Sequence, residues 1–188
     1  MNAEIILPIA TATSALFGVG LSALVQMRSQ RGNQRFQLAS DAAKHGRERA
    51  DQASADAIRR LTDAHKLLSK IAREFSPTSL NILWGSGMTG SEYDLRYLQS
   101  CEEMDDLRAF AALHEPSLEE EVEKLNSQMS YFWGNFKNVL YLSHKGERVD
   151  HNTSSFSDAH AAAIEAGSIA RHIKNQISQL ASRAKGNI

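Results

Sequence analysis

Residues 117–145 read SLEEEVEKLNSQMSYFWGNFKNVLYLSHK, and this stretch decides the fold. Leu118, Val122, Leu125, Met129, Phe132, Phe136 and then Val139 or Leu140 recur at alternating three- and four-residue intervals. That spacing lines one face of an α-helix. Glu119, Glu120 and Glu121 sit where the helix start is electropositive. Ser117 with Glu120 three residues on has the form of a capping box, and Gly146 is a natural terminator. A helix apolar on one face only must bury that face against other elements, so the chain is expected to pack helix on helix.

The neighbouring stretches supply those elements. Upstream, Ser91 opens a helix with Glu92 in its first turn and Asp94 three residues after the serine. It carries Tyr93, Leu95, Tyr97, Leu98, Met104, Leu107 and Phe110, and stops before Pro116. Further upstream, Ile58, Leu61, Leu68, Ile71 and Phe75 mark an amphipathic helix from about residue 57, closed by Ser76-Pro77. A short apolar piece at 79–84 and a glycine-rich loop at 85–90 connect the two. Downstream of a polar loop at 147–155, a last helix over about 157–183 carries a stripe of Ala162, Ala166, Ile169, Ile173, Ile177 and Leu180. Four such helices with short connections predict an antiparallel bundle over residues 57–188.

The first quarter of the chain is different. Ile5 to Met27 reads IILPIATATSALFGVGLSALVQM, with no charged residue. As a helix it would be about 34 Å long, enough to cross a hydrocarbon core of about 30 Å. No Lys or Arg precedes it, which argues against a cleaved signal peptide. Pro8, Gly18, Gly20 and several hydroxyl residues moderate its hydrophobicity, so a buried soluble helix is the alternative. Arg28, Arg31 and Arg35 follow at once; by the positive-inside rule they place the bulk of the chain in the cytoplasm and the N-terminus outside, and they are suited to lipid headgroups. Ala10, Ser14, Gly18 and Ser22 fall every fourth residue, a small-residue face through which two membrane helices can associate. Residues 28–56 are polar and Ala-rich, and predict a largely helical stalk of about 45 Å that Gly32 or Gly46 could break, with a flexible tether as the alternative. The expected fold is therefore all-α: a single N-terminal transmembrane helix (1–27), a polar stalk (28–56) and an antiparallel bundle of about four helices (57–188).

Candidate chemistry is sparse. The chain has 188 residues and a formal net charge of −1, and no basic surface that would suit nucleic acid. Gly85-Ser86-Gly87-Met88-Thr89-Gly90 matches G-x-G-x-x-G, but a dinucleotide site needs a strand before it and further βαβ units after it, and neither is expected. Seven histidines include no HExxH pair; Asp150, His151, Asp158 and His160 form the densest group of candidate ligands. Cys101, the only cysteine, is flanked by Glu102 and Glu103, which disfavour a reactive thiolate. No catalytic residue, metal or cofactor is expected. Trp84, Tyr93, Tyr97, Tyr131 and Trp133 concentrate aromatic surface and are the candidate partner or ligand surface, against the plainer reading of bundle-rim aromatics with wet polar tips. The resulting expectation is a non-enzymatic module that scaffolds, senses or recruits a protein partner at the cytoplasmic face of a membrane. The alternatives are a membrane-perturbing effector that oligomerises through its transmembrane helix, and a ligand-binding or enzymatic bundle.

Overall fold

The computed structural model describes the backbone of residues 6–186 and the side-chain surroundings of residues 27–31 and 33–186. Helix makes up 90% of the described residues, and no strand occurs among them, so the fold is all-α. The described residues form five α-helices: α1 (Ile6–Glu74), α2 (Pro77–Gly85), α3 (Gly90–His114), α4 (Glu119–His144) and α5 (Ser154–Gly186). The chain divides into two compact units, Met1–Gln52 and Ala53–Ile188.

In the first unit every side chain described is exposed. The stalk is helical as expected, and neither Gly32 nor Gly46 breaks it: α1 is helical through both. A glycine costs a helix only about 1 kcal/mol, and here each is set among Ala, Arg, Gln and Glu, which favour helix. The boundary expected between stalk and bundle helix, at 56–57, falls inside the continuous α1 and near the division of the two units at Gln52 and Ala53. Among the described residues no helix is long and apolar enough to cross a membrane. The expected anchor, with its association face of Ala10, Ser14, Gly18 and Ser22, lies in its side chains outside the described residues.

The second unit is the bundle. Contacts between its helices run in opposite order, which makes neighbours antiparallel. Lys70 pairs with Glu103 while Glu74, one turn later, pairs with Arg96. Along α3 and α4, Asp94 meets Lys137, Tyr97 meets Ser130, and Arg108 meets Glu123. Ser54 Oγ donates to the Ala184 carbonyl, 2.8 Å away, near the end of α5. The core is made of the predicted stripes. Leu61, Leu68, Ile71 and Phe75 from α1 meet Val122, Leu125, Met129, Phe132 and Phe136 from α4 and Ile169, Ile173 and Ile177 from α5, all buried. Phe75 stands edge-on to Phe132 with ring centroids 5.4 Å apart. Five buried alanines of α5, among them Ala159, Ala163 and Ala166, keep its inner face small.

Several helix ends fall elsewhere than the sequence suggested. The capping box expected at Ser117 and Glu120 is not formed. Pro116, whose fixed φ suits the first position of a helical turn, begins a 3₁₀ turn over Pro116–Leu118, and α4 starts at Glu119 without a side-chain cap. Glu120 instead pairs with Lys124 at 2.8 Å, which holds its carboxyl below the ordinary range. The last helix begins three residues early, at Ser154, because the Thr153 carbonyl accepts the amides of Phe156 and Ser157. The C-terminus of α4 is as expected. Gly146 adopts φ +76°, its amide donates to the Ser143 carbonyl, and the Glu147 amide reaches back to Leu142, which is a Schellman motif.

Candidate functional site

The seam between α3 and α4 brings together Asp94, Tyr97, Trp133 and Lys137. Its geometry starts at a helix cap. Thr89, not Ser91, caps α3: its hydroxyl accepts from the Glu92 amide at 3.3 Å, and Glu92 accepts from the Thr89 amide at 2.8 Å. The cap hydrogen bonds from Thr89 hold the Glu92 carboxyl below its ordinary value. The other serine–acid pair, Ser91 with Asp94, is thereby left unused, and Asp94 turns to α4 instead. There it accepts from Lys137 Nζ at 2.7 Å and from Trp133 Nε1 at 3.1 Å. These two donors favour the charged carboxylate, and the Asp94 pKa falls below its ordinary value, Lys137 contributing most.

The latch continues as a stack. Lys137 Nζ lies 5.1 Å from the centre of the Trp133 ring, a cation–π contact. Trp133 stacks on Tyr97 with centroids 4.9 Å apart and planes inclined by 17°. The Tyr97 hydroxyl is 3.1 Å from Ser130 Oγ. Burial is the main cause that raises the Tyr97 phenol above its ordinary value, and Cys101, half-buried nearby, adds to the rise. Beside the latch opens a groove of about 380 Å³, walled by Met88, Thr89, Leu140, Tyr141 and His144 together with Asp94 and Lys137. Lys137 and Asp94 neutralise each other, and Trp133 also bonds Asp94. What this arrangement does chemically is hold α3 against α4 while presenting an indole face, a phenol and a lysine at a wet edge.

The five aromatics predicted as one surface are not brought together. Tyr97 and Trp133 share the seam. Tyr93 is 2% exposed, packs edge-on against Phe136 and belongs to the core; its hydroxyl is buried with no hydrogen-bond partner, and burial drives its pKa well above the ordinary value. Trp84 packs on Phe156 at 4.9 Å and donates to Ser143 Oγ at 3.3 Å. Tyr131 is exposed. Arg28, Arg31 and Arg35 are exposed in the first unit.

The remaining motifs resolve into structure. Gly85 ends α2, Gly87 takes φ +68° in the turn and Gly90 begins α3, while Leu80–Trp84 is helical, so the strand that a dinucleotide fingerprint requires is missing. Among the described residues no group of His, Cys, Asp and Glu is gathered to hold a metal. Asp150 accepts from the Asn152 amide, Asp158 from Ser154 Oγ, and His151 packs edge-on to Phe156. Sequence reasoning missed Lys137 as the partner of Asp94, and it missed that Leu95, Leu98 and Leu113 of α3 face solvent. The signal for the leucines was present: the apolar residues of α3 span too wide an arc for one buried stripe. In comparison with known proteins, no protein-family model matches the chain, and neither a curated protein nor a solved structure matches it.

Proposed function

We propose that the protein is a membrane-anchored, non-enzymatic helical bundle that recruits a protein partner at the cytoplasmic face. The observation that carries this reading is the uncharged run Ile5–Met27 followed directly by the exposed Arg28, Arg31 and Arg35. The run has the length of a hydrocarbon core, and the arginines on one side only give it a direction. The small-residue face Ala10, Ser14, Gly18 and Ser22 supports pairing of two such helices in the bilayer. The non-enzymatic part rests on what the polar groups do: Asp94, Lys137, Glu74 and Arg96 are bound to one another across helix seams. Carbonate extraction of membranes combined with protease accessibility tests the anchor. The full chain should stay with the membrane pellet, and a C-terminal tag should be cut only when the cytoplasmic side is open to protease. Release of the chain into the carbonate supernatant would overturn the reading.

A further inference from the structure

We propose that the outward face of α3, with the groove between it and α1, is a docking site for a basic amphipathic helix of a partner protein. The inference rests on the partner-recruiting reading above and gives that partner its chemistry. The buried residues of α3 (Tyr93, Ser100, Met104, Leu107 and Ala111) define its inner side. At 100° per residue, Leu95, Leu98 and Leu113 fall within about 40° of the opposite side. They are 71%, 59% and 75% exposed. Leu95 and Leu98 make one exposed apolar patch and Leu113 a second, with Glu102 and Asp106 between them along the same face. The row from Leu95 to Leu113 is about 27 Å long, the length of about five helical turns.

At its Leu113 end the row borders a groove of about 480 Å³ between α1 and α3, lined by Ala64, Leu67, Phe110 and Leu113. A ridge of apolar side chains on an incoming helix fits such a groove. Charge decides which helix. Glu102 and Asp106 lie in the leucine row and have no ion-pair partner among the described residues. The neighbouring bases are engaged elsewhere: Lys70 with Glu103, Arg96 with Glu74, and Arg108 with Asp105 and Glu123. Asp63 is held by Lys66, so Arg60 lines the α1 side of the groove as a cation, and the acidic surface is the outward face of α3 itself. A helix with cations flanking its apolar stripe therefore complements this face. A second copy meeting it face to face through α3 does not. Two α3 faces meeting about a two-fold axis would set Glu102 and Asp106 of one against those of the other. Anionic lipid is repelled for the same reason.

The test uses the full chain in nanodiscs of zwitterionic lipid and two labelled helical peptides of about 18 residues. Both carry leucines at i, i+3, i+4 and i+7; one has lysines flanking the stripe and the other glutamates. Fluorescence anisotropy should show saturable binding of the lysine peptide at least about tenfold tighter than the glutamate peptide. The pair Glu102→Lys and Asp106→Lys should invert that preference. The pair Leu98→Asp and Leu113→Asp should remove saturable binding, and since both leucines are exposed the thermal melt should not move. Ile164→Asp, an exposed change on α5, should leave binding intact. Equal binding of the two peptides, or a lysine preference that survives the charge reversal, would overturn the proposal. Self-association abolished by Leu113→Asp would overturn it as well and give the face to a second copy. Carbonate extraction of the same variants reads the anchor separately, so loss of docking and loss of membrane residence are told apart.

Discussion

Asp94 shows how one side chain is assigned its task by a neighbour five residues away, Thr89. The chain offers two openings for α3, Thr89 with Glu92 and Ser91 with Asp94. Glutamate reaches back to a cap amide; aspartate, one methylene shorter, does so poorly, so the first pair wins and Asp94 is free to hold Lys137 and Trp133. Asp94→Ala should destabilise the bundle by about 1 kcal/mol or less, since the pair is partly exposed and screened by solvent. The folded state lowers the Asp94 pKa, so its stabilisation is fully present above the unfolded value of about 3.9 and is lost as pH falls through the lower folded value. Urea unfolding should thus show the difference between wild type and Asp94→Ala at pH 6 and a narrowing of it below about pH 4. A difference that is unchanged at pH 3 would assign the effect to packing instead. The acid was visible in the sequence; its partner was not, because Lys137 lies 43 residues away and no local pattern joins them.

Among the elements, α4 was legible in its core stripe and its C-terminus, and α1 only over its bundle end, where Leu61, Leu68, Ile71 and Phe75 are buried. In α4 every predicted stripe residue is buried and the glycine stop is where it was expected. Phe132 and Gly146 then separate two kinds of cost. Phe132→Ala removes a fully buried ring that touches Phe75 and Phe136 and should cost about 3–5 kcal/mol. Gly146→Ala adds a methyl with nothing within 4 Å, so only the left-handed backbone opposes it, at about 1–2 kcal/mol. Chemical denaturation of the two variants should rank them in that order; a Gly146→Ala cost equal to that of Phe132→Ala would mean that the α4–α5 loop packs more tightly than the free space around Gly146 indicates. The boundary errors have one physical source. Stripes report burial, and Ala-rich or proline-led segments such as 28–56 and 115–118 form helix or 3₁₀ turn from backbone preference, with little burial to report it.

In the whole molecule, the two units are held in helical form by different means. Residues 33–50 of α1 are exposed and helical through local preference and a few surface pairs such as Lys44–Glu48, whereas the bundle is held by a shared core. Amide exchange should accordingly be faster over 33–50 than over 122–140, and equal protection in the full chain would mean that the first stretch is covered by a partner helix. The seam stack described above has a spectroscopic consequence. Trp133, lying on Tyr97, and Trp84, lying on Phe156, are the only tryptophans of the chain, and both belong to the second unit. Indole fluorescence therefore follows the melting of the bundle alone, while far-ultraviolet circular dichroism adds the helix of the first unit to it. The two signals need not coincide on heating, and their divergence would report two units, each losing helix in its own way, with no folding intermediate required.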